Sequence, residues 1–207
     1  MTLIYLIRHA ENEFIVEKKL SGWLPGIHLN APGVVQAKTV ADALADVRIT
    51  AVYSSPLERA METAEPIASA KGLVVIPRLG LGEVRFGRWQ GKSLKTLRRY
   101  KLWNIIQHTP SLARFPEGES FTEAQSRIIS ELESLRAKHS KPKEVIVCVS
   151  HADTIKLAIA HYLGLPLDLF QRLIIDLASI SILSVGKEHI RLVRLNHTPI
   201  SYPSVEK

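Results

Sequence analysis

A single cysteine, Cys148, stands in 207 residues, which excludes a disulfide framework and any cysteine-built zinc site. No apolar run approaches the roughly 20 residues that a membrane helix needs. The opening MTLIYLI runs straight into Arg8, His9 and Glu11, too short and wrongly flanked for a signal peptide. Internal repeats and low-complexity tracts are lacking as well. What remains, 46% hydrophobic and 23% charged residues at a mean hydropathy of +0.06, suffices for a sizeable core and excludes global disorder. The expectation is a soluble, cytoplasmic enzyme of one domain spanning 1–207.

Acidic residues are missing from one long stretch. Val84 to Pro116 holds eight basic residues (Arg85, Arg88, Lys92, Lys95, Arg98, Arg99, Lys101 and Arg114) and no Asp or Glu. The rest of the chain carries 19 basic and 20 acidic residues, so the net charge of +7 is a local feature. The segment 84–116 reads as a small helical cap inserted between sheet elements. One charged helix without an aromatic stacking platform does not make a nucleic-acid binder, so neither nucleic acid nor membrane is an expected partner.

Apolar runs with β-branched residues predict strands at Leu3–Ile7, Thr50–Tyr53, Val74–Ile76, Glu144–Val149, Ser179–Val185 and His189–Leu195. Helical spacing predicts helices at Gly33–Ala45, Leu57–Lys71, Leu94–Gln107, Glu119–Lys138 and Asp153–Leu163, with Ser93 capping the third. Gly186-Lys187 reads as a hairpin turn, and the tail from Asn196 as irregular. The alternation implies an α/β fold: a doubly wound, mostly parallel sheet with helices on both faces. Ligands bind such sheets beyond the carboxyl ends of the strands, here just after Ile7 and just after Val149.

Those two places hold Arg8-His9-Ala10-Glu11-Asn12 and Ser150-His151-Ala152-Asp153-Thr154. A third strand end gives Ser54-Ser55-Pro56-Leu57-Glu58-Arg59, with Arg59 in the first turns of a helix. Two arginines and two histidines around one crevice suit a tetrahedral dianion. The guanidinium fork matches phosphate oxygens, and a neutral imidazole is a competent nucleophile. The same residues leave a metal site open, because His9-x-Glu11 and His151-x-Asp153 are each a histidine–carboxylate pair at a strand end.

The Arg8-His9-Ala10-Glu11 block resembles the signature of the histidine phosphatase, or phosphoglycerate-mutase-like, superfamily. The resemblance continues in order through Gly22-Trp23, Leu29-Asn30-Ala31-Pro32-Gly33 and Ser54-Ser55-Pro56-Leu57-x-Arg59-Ala60. It then runs through Glu83-x-x-Phe86-Gly87-x-Trp89-x-Gly91, Pro116-x-Gly118-Glu119-Ser120 and Val149-Ser150-His151. It implies His9 as the nucleophile that becomes a phosphohistidine, with no metal and no cofactor. Arg8, Arg59 and His151 would surround the phosphate, joined by Asn12, and Glu83 would protonate the leaving alcohol. Ser21, Arg88 and Asp153 are the candidates for substrate specificity. The implied partner is a small phosphorylated substrate, the assembly a monomer or homodimer.

Departures from the family pattern sharpen the expectation. Ala10 replaces the usual Gly, which is mild if φ there is negative. Ile15 stands where many members carry a substrate-contacting Asn, and Ala152-Asp153 replaces the common Gly-Gly. Asp153 would face a substrate hydroxyl or amine, pair with Lys156, or cap the following helix. The stretch Glu83-Val84-Arg85-Phe86-Gly87 and the short insertion resemble phosphatases rather than phosphoglycerate-type mutases. Hydrolysis of a phosphomonoester is the expected reaction; a mutase, or a non-catalytic phospho-ligand binder, is the alternative. Cys148 reads as a buried thiol, His28 as a marginal crevice residue, and Trp89 and Trp103 as packing for the cap.

Overall fold

The computed structural model describes residues 1–141, 143–186 and 189–199. Six strands form one sheet in the order β3-β2-β4-β1-β5-β6: β1 (Thr2–Arg8), β2 (Ala51–Ser54), β3 (Val75–Pro77), β4 (Val145–Ser150), β5 (Ile180–Val185) and β6 (Ile190–His197). β1, β2, β3 and β4 run parallel, while β5 is antiparallel to both β1 and β6. The mostly parallel α/β sheet is the fold class expected from the alternation of strands and helices.

Alternation along each central strand decides which layer a side chain joins. Ile4 and Leu6 of β1, with Ile146 and Cys148 of β4, face one core; Ile7, with Val147 and Val149, faces the other. Both faces are covered, as a parallel sheet requires. α2 (Ala31–Ala43) and α3 (Glu58–Ser69) pack together on one side, α6 (Phe121–Lys138) and α7 (Ala152–Tyr162) on the other. Local sequence explains the helix starts. Asn30 caps α2 through the Gly33 N–H, with Pro32 in the first turn, and Ser120 with Glu123 forms a reciprocal capping box on α6. Cys148 is fully buried in β4, and burial pushes its thiol pKa upward, which fits a core role.

The cap departs from its expected shape. The single helix expected over Leu94–Gln107 is two: α4 (Leu94–Leu97), capped by Ser93 as expected, and α5 (Lys101–His108), with Tyr100 extended between them. The physical reason is register. Trp103 follows Leu94 by nine residues, and Ile106 follows Leu97 by nine, about two and a half turns. An unbroken helix would point the second pair away from the core that the first pair faces. Breaking at Tyr100 turns Ile106 inward, so that it and Leu97 are both buried. A further helical turn, α1 (Glu13–Val16), escaped the periodicity reading because four residues carry no period.

At the far end, Asn196 and His197 belong to β6 rather than to an irregular tail. The Asn196 side chain accepts from the Asp176 N–H, and the Asn196 backbone N–H donates to Ser181 Oγ, which fixes the residue to the sheet. The Gly186-Lys187 turn falls partly outside the described residues, as does the tail beyond Pro199, although β5 and β6 pair antiparallel on either side of that turn.

Candidate active site

His9 and His151 follow β1 and β4, adjacent parallel strands whose register sets Arg8 beside Ser150. The two rings therefore meet, with centroids 5.1 Å apart, and both residues are buried. β2 lies on the other side of β4, so the loop after it delivers Ser55 and then Arg59, in the first turn of α3. Arg59 is fully buried. Its Nη2 donates to the Gly22 carbonyl at 2.8 Å and to His151 Nδ1 at 3.3 Å, and its Nε donates to His9 Nε2 at 3.4 Å. Arg59 Nη1 and Asn12 Nδ2 are buried donors with no protein acceptor among the described residues. Such donors are costly to bury without an acceptor, and an anion supplies one.

The hydrogen bonds fix both tautomers. His9 Nδ1 lies 2.7 Å from the Ala10 carbonyl, which can only accept, so the proton sits on Nδ1 and Nε2 carries the lone pair, which accepts from Arg59 Nε. Arginine can only donate, so His151 accepts at Nδ1 and donates from Nε2 to Ser55 Oγ at 2.8 Å. Burial, then the charges of Arg59 and Arg8, holds the pKa of His9 well below the ordinary imidazole value. His151 is lowered likewise, by burial first and then Arg59. Both imidazoles are neutral at pH 7. Ala10 is accommodated without strain, since it is not among the residues of positive φ, and its N–H donates to Thr63 Oγ1 at 3.0 Å.

Glu83 enters on the loop after β3. Its backbone carbonyl accepts from Trp23 Nε1 at 2.6 Å and from Arg127 Nη2 at 3.1 Å, which anchors the residue from two elements. Its carboxyl group receives the Val84 N–H at 2.8 Å and Thr154 Oγ1 at 3.4 Å, and lies 3.9 Å from His151 Nδ1. Burial, with the charge of Asp153 second, raises its pKa to about 7, so much of it is protonated at neutral pH. Gly82 is obligatory beside it: a Cβ there would lie 2.2 Å from the Trp23 ring.

The other expected positions separate. Arg8 sends Nη1 to the Ile175 carbonyl at 2.8 Å and raises the positive potential at His9. Asn12 caps α1 through the Ile15 N–H, which leaves Nδ2 for a ligand. Ser21 is buried next to Gly22, the carbonyl that Arg59 holds. Asp153 is not a helix cap: His151 occupies the cap position of α7, and Asp153 reaches Lys156 Nζ at 3.4 Å. Arg88 is not brought to the crevice. It pairs with Glu117 in solvent, as Arg114 does with Glu123, so acids just beyond the basic run neutralise part of it. His28 is exposed and bound to Glu62.

Sequence reasoning passed over Ser55, Thr63, Thr154 and Arg127. Only Arg127 left a signal, a charge on the buried stripe of α6 beside Ala124 and Ile128. The metal alternative loses its carboxylates, because Glu11 accepts from Asn30 Nδ2 and Asp153 is turned to Lys156. Among the described residues no group of three His, Cys, Asp or Glu is arranged to hold a metal ion.

The model for the histidine phosphatase superfamily, branch 1, matches residues 4–198. The chain belongs to that superfamily. It is 30% identical over 203 residues to phosphoserine phosphatase 1 of Hydrogenobacter thermophilus, covering 96% of this chain and 93% of that one. It is 35% identical over 186 residues to a probable phosphoglycerate mutase, GpmB, of Proteus mirabilis, covering 87% and 84%. Among solved structures, YhfR of Bacillus stearothermophilus superposes with a TM-score of 0.89 at 25% identity, over 95% of this chain and 98% of that one. The chain is thus a phosphatase of the histidine phosphatase type, and among its described residues no helix is long and apolar enough to cross a membrane.

Proposed function

We propose that this histidine phosphatase hydrolyses small phosphomonoesters through a phosphohistidine on His9, without a metal. His9 Nε2 forms a bond to phosphorus while the ester P–O bond breaks and its electron pair goes to the leaving oxygen. The carboxyl of Glu83 gives that oxygen its proton, so the product leaves as an alcohol. In the second half, the Glu83 carboxylate takes a proton from water as the water oxygen attacks phosphorus. The P–N bond breaks and its pair returns to Nε2. Arg8 and Arg59 stabilise the charge on the transferring phosphoryl group, the Asn12 amide adds a donor, and His151 holds Arg59 through Nδ1.

The observation that carries this reading is the pairing of opposite protonation states in one crevice: a neutral imidazole with its lone pair on Nε2, and a carboxyl whose pKa is raised to about 7. The test is turnover of p-nitrophenyl phosphate by wild type and by His9→Ala, each with and without EDTA. Turnover by wild type alone, indifferent to the chelator, is the expected result. Full activity in His9→Ala would sink the nucleophile, and a loss restored only by a divalent ion would sink metal independence.

A further inference from the structure

A cavity of about 190 Å³ opens between the cap and the first turns of α6 and α7. Phe86, Trp89, Leu94, Trp103 and Ile106 form most of its wall, with Trp89 stacked on Trp103 at a centroid distance of 6.3 Å. Its polar lining is Gln107, Gln171 and Asp153. No Lys, Arg or His among the described residues lines it. Lys156 touches Asp153 and Gln171 at 3.4 Å each and is not itself part of the lining. Two lining residues lead to the acid: Phe86 stands three residues after Glu83, and Asp153, whose charge acts on the Glu83 carboxyl, precedes Thr154, which contacts it.

A phosphomonoester has two halves, and the crevice around His9 and Arg59 accounts for only one of them. We infer that this cavity takes the alcohol half and selects apolar, carboxylate-free alcohols, whose polar groups, where present, are hydrogen-bond donors facing Asp153 and Gln171. The assignment rests on the hydrolase reading above. Aromatic and aliphatic walls gain from covering apolar surface. A carboxylate brought there would be stripped of water and would meet no cation on the wall, since the nearest, Lys156, is already paired with Asp153. Phosphoserine and phosphoglycerate, named for the relatives, both carry such a carboxylate; this chain's wall discriminates against them.

Steady-state kinetics with 2-phenylethyl phosphate, O-phosphoserine and 3-phosphoglycerate test this. In wild type the KM for 2-phenylethyl phosphate should be lower than for either carboxylate ester by about tenfold or more. Leu94→Lys puts a cation on the wall and should narrow that gap from both sides. A lower wild-type KM for either carboxylate ester overturns the assignment, as does an equal shift on all three in Leu94→Lys. Calorimetric titration with 3-phenylpropylphosphonate separates this from the chemistry. If no ester turns over but the phosphonate binds wild type and binds Leu94→Lys about tenfold more weakly, hydrolysis fails and the cavity assignment stands. If the phosphonate fails to bind wild type, the cavity assignment fails.

Discussion

The crevice and the cap are built on different principles. In the crevice, His9, Arg59 and His151 come from three strand ends far apart in sequence, yet the parallel register of β1 with β4, and β2 with β4, leaves them little choice of neighbour. Each side chain is buried and held by named hydrogen bonds. In the cap, two short helices hold their shape through Leu97, Ile106 and an aromatic cluster of Trp89, Trp103 and Phe115, while cations such as Lys95 and Arg98 face solvent. The crevice is specified by backbone topology, the cap by side-chain packing. On the proposed reading, the chemistry sits where strand register fixes the neighbours, and the choice of substrate sits against the packed cap.

The largest effect that would break this contrast is at Arg59. Arg59→Ala should lower kcat/KM for any phosphomonoester by about 10³-fold or more, because it removes the charge nearest the transferring group and the bonds to both histidines. A loss under tenfold would show that the crevice tolerates rearrangement as a surface does. Glu83→Gln comes next. It should cost about 10²–10⁴ in rate on an alkyl phosphate, and much less on p-nitrophenyl phosphate, whose phenolate leaves without a proton. Equal losses on the two esters would reassign Glu83 to structure.

Asp153→Asn sharpens the boundary between the regions, since Asp153 stands on the cavity wall and acts on Glu83. Its negative charge helps raise the Glu83 pKa, so its removal lowers that pKa toward the ordinary carboxylate value. Rate requires the protonated acid, which is lost as pH rises through its pKa of about 7. The basic limb of the pH–rate profile should therefore move to lower pH in Asp153→Asn. An unmoved limb would mean that the limb does not report Glu83, or that Asp153 does not act on it. Smallest of all should be Lys95→Glu with Arg98→Glu: these exposed cations line a second groove that shares only Leu94 with the apolar cavity, and kcat/KM for p-nitrophenyl phosphate should change by less than about twofold. A tenfold change would bring the cap's charge into the chemistry.

What could be read in advance follows the same division. Strand-end histidines, the arginine after β2 and the parallel order of strands leave marks in period and position, so the crevice and the family were legible. The break at Tyr100 left none, because Lys101, Leu102 and Trp103 are compatible with a continuing helix, and only the facing core decides which side turns inward. Ser55 was illegible for a related reason: it acts through His151, which becomes its neighbour only on folding, whereas Arg127 showed as a charge on the buried stripe of α6 without naming its partner, the Glu83 carbonyl. The role of Asp153 was narrowed rather than read, since the cap position and the Lys156 contact depend on where α7 begins.

The account turns on His9 Nε2 as the atom that carries the phosphoryl group. Rapid denaturation of the enzyme during turnover of a ³²P-labelled monoester, followed by peptide mapping, tests it directly. The label should reside on the peptide containing His9, stable in base and lost in acid, and should be missing from His9→Ala. Label that survives acid, or that maps to a peptide without His9, would contradict the mechanism.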